Sequence, residues 1–274
     1  MNILVTAATG NVGSALVPLL TDRGVRVRTL AHDPAPDLSR AMADIDAVFL
    51  ACGNVPEQVD FETAVIDAAA RGGVRRIVKL SARGAELDSP VAFWHWHAVI
   101  EQHLAASGVP STVLQPSFLM TNLLASAETV QQEGILVAPG GDAHISMVDP
   151  RDVAGAAAAA LTEDGHEGRT HILTGPEAPT LDQVAAALTV ATGRQVRYLD
   201  VPPEAATAAM VESGVPAFAA MQIVNVFAAL RAGSQETTTS AVATLTGRPG
   251  SSMQQFVDRY AGAFGVTAPA AFTR

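Results

Sequence analysis

Two groups of residues in this chain have the types and spacing to do chemistry. The first is the run Ala7-Ala8-Thr9-Gly10-Asn11-Val12-Gly13, set between a short apolar stretch and a helical pattern. Glycines let a backbone approach a diphosphate closely, and the free N–H groups of a helix N-terminus meet its charge. Thr9, Gly10, Asn11, Val12 and Gly13 are therefore the expected phosphate contacts. Ala7 stands where a G-x-x-G-x-x-G loop has its first glycine, and alanine adopts a positive φ only at a cost. An ordinary βα turn is the alternative reading of the same residues.

The second group is Ser81 with the run Phe93-Trp94-His95-Trp96-His97 and, four residues on, Glu101. On a helix His97 and Glu101 share a face, so the carboxylate could orient a proton donor or make a purely structural pair. His95 and His97 are two apart and point roughly opposite ways. With His103 they are not expected to gather a metal ion, and no metal is expected. The same spacing lets only one of Trp94 and Trp96 line a site. The segment 115–118 (Gln-Pro-Ser-Phe) follows a strand at the edge where open α/β sheets bind ligands. Phe93, Trp96 and Phe118 are the candidate substrate contacts. Met120, Met210, Met221, Phe218 and Phe227 either line an apolar pocket or form plain core. No G-x-S-x-G nucleophile elbow occurs.

Short β-branched runs alternating with helical patterns must position these residues, which is the signature of a parallel sheet with crossover helices. Strands are expected at 2–6, 25–30, 47–51, 76–80, 111–114 and 170–173. Helices are expected at 11–22, 57–71, 92–107 and 152–161. From residue 179 the chain reads as helical and alanine-rich. The expected architecture is α/β, a Rossmann-type doubly wound parallel sheet with a smaller, mainly helical C-terminal lobe. Residues 1–174 would form the nucleotide domain, with 117–147 contributing to the cleft and small lobe, and 175–274 the substrate lobe. A cleft between lobes is the default small-molecule site.

Composition narrows the partners. The 274 residues suffice for a full core. The formal net charge of −10 disfavours nucleic acid and anionic membrane surfaces, which need clustered cations. Lys79 is the only lysine. A single cysteine, Cys52, cannot form an internal disulfide. No apolar run reaches the roughly 18 residues that a membrane span needs, and the first residues carry no basic n-region. A cytoplasmic location is expected.

At 7–13 the chain resembles the NmrA-like branch of the atypical short-chain dehydrogenase/reductases, whose loop reads GATGxxG. The resemblance continues through VRRIVKLSA (74–82), HAVIEQHLAASGVPSTVLQPSFLMTNLL (97–124), SMVDPRDVAGAAAAAL (146–161), ILTGPEAPTLDQVAAAL (172–188) and LTGRPGSSMQQFVDRYAGAF (245–264). It implies a Rossmann fold, NAD(P)(H) binding, and either reductase or redox-sensor activity. Ala51, Cys52 and Pro116 join the expected cofactor contacts. At the end of the second strand an acid would take the ribose hydroxyl of NAD, whereas a cation would take the 2′-phosphate of NADP. The family commonly has arginine where this chain has His32, a partly charged group at neutral pH. NADP(H) is expected over NAD(H), although Asp33 points the other way. Only about 14 residues separate the second strand from the next, too few for the family's extra strand, and Asp37-Leu38 looks like a remnant of its Asp-Leu pair.

Short-chain dehydrogenases use a Tyr-x-x-x-Lys dyad. Here tyrosine occurs only at 198 and 260. Aligned on Glu101, Phe93 and His97 occupy the two positions. Ser81 falls where the family's active-site serine lies. Ser81 and His97 are thus the catalytic candidates of an NAD(P)H-dependent reductase of a bulky, apolar carbonyl-, enone- or quinone-like molecule. The alternatives are a non-catalytic dinucleotide sensor with a regulatory protein partner, or a non-redox enzyme that kept the fold.

Overall fold

The computed structural model describes residues 1–31 and 37–265. His32, the expected 2′-phosphate contact, lies outside the described residues. The chain divides into two compact units: Met1–Ser117, Pro150–Thr174 and Thr239–Gly250 form the first, and Phe118–Asp149, Gly175–Thr238 and Ser251–Arg274 the second.

The first unit is the expected parallel sheet. β1 (Asn2–Thr6), β2 (Arg26–Leu30), β3 (Ala47–Leu50), β4 (Arg76–Leu80), β5 (Ser111–Pro116) and β7 (Arg169–Leu173) lie in the order β2-β1-β3-β4-β5-β7, every pairing parallel. The inner strands β1, β3 and β4 are short apolar runs because helices cover both of their faces. β2, at the edge, carries Arg26 and Arg28, and its side chains are largely exposed. α1 (Gly13–Asp22) and α6 (Pro150–Thr162) pack together, with α10 (Ala241–Thr246) on α6; α3 (Gln58–Arg71) and α4 (Ala92–Ala106) pack together as a second pair. Between the second pair and the sheet lies an apolar core that includes Val48, Leu50, Val65, Ile77 and Ile100. The 239–250 segment, assigned by the sequence reading to the C-terminal lobe, thus belongs to the first unit, where α10 also meets β7. Between β2 and β3 the described chain forms the short helix α2 (Leu38–Met42), capped by the Asp37 side chain on the Arg40 N–H at 3.0 Å.

The second unit holds α5 (Ala127–Glu133), α7 (Leu181–Thr192), α8 (Pro203–Glu212), α9 (Ala217–Arg231) and α11 (Met253–Arg259). It is not helical alone. β6 (Ile135–Ala138) pairs in parallel with β8 (Arg197–Asp200), a two-strand element that four-residue runs do not announce in sequence. Its core gathers Leu136, Ile145, Val184, Leu188 and Phe256. No helix among the described residues is long and apolar enough to cross a membrane.

Candidate functional site

Parallel pairing brings the C-terminal ends of β1, β3, β4 and β5 side by side, with Val5 beside Phe49, Leu50 beside Lys79 and Leu80 beside Leu114. The sheet order reverses between β1 and β3, and such a switch point opens a crevice beyond the strand ends. Residues 7–13, Ala51, Cys52, Ser81 and Pro116 all lie at or just past these ends.

The loop after β1 is a backbone cradle. Gly10 N–H bonds the Ala7 carbonyl at 3.0 Å, and Ser14 N–H reaches Gly10 at 3.0 Å. The N–H groups of Asn11, Val12 and Gly13 find no backbone partner among the described residues. α1 carries no side-chain cap and no acidic residue in its first turn, so its positive end meets no protein charge of its own. A Cβ on Gly13 would stand 2.2 Å from the Ala7 oxygen, so glycine is required where loop and helix touch. Ala7 sits at φ 50°, in the left-handed region that costs a β-carbon roughly 1 kcal/mol. Thr9, Gly10 and Asn11 are exposed. Free donors at an uncapped helix start and a cradle without room for a side chain fit a dinucleotide diphosphate.

At the next strand end, Thr6 Oγ1 donates to the Ala51 carbonyl at 2.6 Å and accepts its N–H at 2.7 Å, fixing the backbone there. Cys52 is half-buried, and burial, followed by the charge of Glu62, pushes its thiol up to about 11. It stays protonated and offers no thiolate. The Pro116 carbonyl accepts the Arg83 N–H at 2.9 Å.

Strand alternation puts Ile77, Lys79 and Ser81 on one face of β4, the face that α3 and α4 cover. Helix spacing brings Gln58 and Glu62 of α3, and His97 and Glu101 of α4, down onto it. Two polar clusters result. In the first, Ser81 donates its hydroxyl hydrogen to Glu101 Oε1, and Gln115 Nε2 donates to the same oxygen at 2.9 Å. In the second, Lys79 and Glu62 form an ion pair at 2.7 Å with both side chains 0% exposed. Gln58 Nε2 donates to Glu62 Oε1 at 3.1 Å and lies 3.3 Å from His97 Nδ1, while Lys79 Nζ lies 3.2 Å from the same nitrogen. Lys79 also donates to the Leu80 carbonyl. Burial, then the Lys79 charge, holds the His97 pKa well below the usual imidazole value.

This corrects the expected His97–Glu101 pair. The two share a helix face, but each has a closer partner: β4 and β5 take Glu101, and Lys79 with α3 takes His97. Ser81 is also less free than expected, since its one hydrogen is committed to Glu101. Glu62 and Gln58 were not singled out from sequence, and Lys79 and Gln115 were noted there without these partners. The signal was the lone lysine itself, standing in a strand among residues that must be buried; a buried lysine needs a buried partner.

The other histidines of α4 find local partners, His95 on the Leu87 carbonyl at 2.8 Å and His103 on Asp67 at 2.7 Å. Among the described residues no group of three or more His, Cys, Asp or Glu could hold a metal. Trp94 is buried, and Gly84 lies so close that a Cβ there would meet its ring at 2.8 Å. Trp96 is half-buried and packs on Phe93 at 5.6 Å. Within the second unit Phe118 packs on Phe227 at 5.7 Å. Met120 is core there, whereas Phe218 and Met221 are exposed. Both tyrosines are tied up in that unit: Tyr198 hydroxyl accepts the Gly140 N–H at 3.0 Å and lies 2.9 Å from the Ala138 carbonyl, and Tyr260 packs on Phe256 at 4.6 Å.

Known proteins resemble this chain in sequence and in fold. The NmrA-like family profile matches residues 35–244. An NAD(P)H azoreductase of Xenophilus azovorans is 34% identical, covering 96% of this chain and 99% of its own. A (4-alkanoyl-5-oxo-2,5-dihydrofuran-3-yl)methyl phosphate reductase of Streptomyces griseus is 36% identical, with 96% and 99% covered. The crystal structure of the Escherichia coli quinone oxidoreductase QOR2 complexed with NADPH superposes with a TM-score of 0.83 at 27% identity, over 94% of this chain and 99% of that one. The chain belongs to the NmrA-like family of Rossmann-fold, nicotinamide dinucleotide-binding proteins.

Proposed function

We propose that this protein is an NAD(P)H-dependent reductase of bulky, apolar carbonyl, enone or quinone compounds, with NADP(H) preferred over NAD(H). The observation that carries the reading is the cradle at the sheet's switch point, with three N–H groups that find no backbone partner among the described residues and a Gly13 that has no room for a β-carbon. The relatives support reduction of conjugated carbonyls and quinones: one is named for NAD(P)H, one for a (4-alkanoyl-5-oxo-2,5-dihydrofuran-3-yl)methyl phosphate, and one for quinones.

In this reading Thr9, Gly10, Asn11, Val12 and Gly13 hold the diphosphate and His32 meets the 2′-phosphate. Ala51, Cys52 and Pro116 line the cofactor's path along the strand ends. The bound cofactor supplies a hydride. Ser81 and His97 are the polar groups at the reacting end, and Phe93 and Trp96 contact the acceptor. Because phenylalanine fills the position of the usual tyrosine, no strong proton donor stands there. Electron-poor acceptors, which need little protonation during hydride transfer, are the favoured substrates.

The test is NADPH oxidation, followed by its absorbance, against a panel of quinones, conjugated enones and simple ketones. Turnover with quinones and little with ketones is expected. In calorimetric titration NADPH should bind more tightly than NADH, and His32→Ala should weaken NADPH alone by about 1 kcal/mol, the scale of one partly charged hydrogen bond. Failure to bind either nucleotide would remove the reading.

A further inference from the structure

The buried cluster beneath His97 has more order than a structural ion pair requires. A lysine ammonium has three hydrogens and no acceptor. The ammonium of Lys79 donates to the Leu80 carbonyl and reaches His97 Nδ1 at 3.2 Å, and it pairs by charge with Glu62 Oε2 at 2.7 Å. Gln58 has two amide hydrogens, one toward Glu62 Oε1 and one toward the same Nδ1. Reversing that amide would set its oxygen against the Glu62 carboxylate, acceptor against acceptor. Two donors therefore converge on His97 Nδ1, which must present a lone pair, so the ring proton sits on Nε2. That Nε2 takes no partner among the described residues and is not a fully buried atom, and the residue remains 7% exposed. The arrangement occupies one nitrogen and leaves the other outward with its hydrogen.

We propose that Lys79, Glu62 and Gln58 are positioning residues that fix His97 as a neutral imidazole with an outward Nε2–H, which donates a hydrogen bond to the acceptor oxygen during reduction without giving up its proton. This deepens the reductase reading and rests on it. When the acceptor's electrophilic carbon takes a hydride, the displaced electron pair moves onto its oxygen. The Nε2–H bond meets the charge developing there, as a preorganised donor does, and water then supplies the proton that completes the reduced product. Ser81 cannot fill this role while its hydrogen is held by Glu101. The charged and titratable groups around the ring agree. Lys79 from β4 opposes a second positive charge on the ring. Glu62 from α3 is neutralised by that lysine, Glu101 on α4 is occupied by Ser81 and Gln115, and the Cys52 thiol beyond β3 is uncharged.

The experiment is nitrogen-15 spectroscopy of histidine-labelled full-length protein, since coupling patterns separate the Nε2–H tautomer, the Nδ1–H tautomer and the imidazolium. His97, assigned by its disappearance in His97→Gln, should show the Nε2–H pattern from about pH 5 to 8, the range in which an ordinary histidine titrates. An Nδ1–H pattern, or an imidazolium forming near the ordinary midpoint, would overturn the proposal. In a folded Lys79→Met/Glu62→Leu double variant the tautomer should become mixed and the midpoint should rise; an unchanged signal would overturn the assigned role of Lys79. Should that variant not fold, the wild-type spectrum still decides. In quinone reduction His97→Gln, which keeps an N–H donor, should retain activity within about tenfold, whereas His97→Leu should lose about a hundredfold, the scale of one removed oxyanion donor. Equal losses in both would overturn the donor role. These spectra need no turnover, so a failed reductase assay and a failed tautomer assignment are distinguishable.

Discussion

The loop after β1 and the cluster under α4 are built from opposite materials. The loop uses backbone: N–H groups without a backbone partner among the described residues, an uncapped helix start, and a Gly13 whose added Cβ would stand 2.2 Å from the Ala7 oxygen. The cluster uses side chains: Lys79, Glu62, Gln58 and His97, drawn from three elements and interlocked away from water. A backbone site is intolerant of volume and indifferent to side-chain charge. A buried side-chain site is the reverse. It tolerates changes that keep charges matched and fails when one partner of a pair is removed.

That contrast can be broken most severely at Lys79. Lys79→Met leaves the Glu62 carboxylate buried without its partner and should destabilise the fold by about 3–5 kcal/mol. Replacing both members, as in Lys79→Met/Glu62→Leu, should recover most of the loss; urea unfolding of the two variants measures the difference. If the single and double variants lose the same amount, the cluster is not a charge-matched unit. Gly13→Val comes next. It should abolish nucleotide binding and cost about 1–3 kcal/mol through overpacking, both readable by thermal unfolding with and without NADPH. Normal folding and binding would place the phosphate site elsewhere.

The pH dependence of stability sharpens the contrast further. The folded His97 pKa lies well below its unfolded value of about 6.5. As pH falls below that value the unfolded chain gains a proton that the folded chain refuses. Stability is therefore fully present above about pH 6.5 and is lost on acidification toward the folded pKa, by up to about 1.4 kcal/mol per pH unit. His97→Gln should remove this share of the slope, and an unchanged slope would contradict the neutral ring. The smallest effect belongs to the loop. Ala7→Gly relieves a positive φ and should stabilise the protein by up to about 1 kcal/mol, because the strain relieved exceeds the entropy that glycine adds to the unfolded chain. A lower melting temperature would show the strain to be absent.

Backbone sites are local, which is why the loop was legible: strand, turn and helix follow one another within Asn2–Asp22, and Gly13 is singled out by spacing alone. The strands of the first unit were legible for the same reason, each being a short apolar run between breakers. The cluster was not. Gln58, Lys79 and His97 lie 39 and 18 residues apart along their contacts, and nothing in a local window says which faces of α3, α4 and β4 will meet. Four-residue spacing paired His97 with Glu101, and that pairing gave way because a sheet supplied each with a nearer partner. The strands β6 and β8 escaped notice because four residues carry too little alternation to separate them from the helical pattern around them.

If the loop binds the nucleotide and the cluster serves the reaction, one variant separates the two roles directly. NADPH affinity and quinone turnover are measured side by side in wild type and His97→Leu. The expected result is an NADPH dissociation constant unchanged within about twofold and a kcat lowered by at least about tenfold, the signature of an interaction made only in the transition state. Unchanged turnover, or affinity falling in step with turnover, would contradict it.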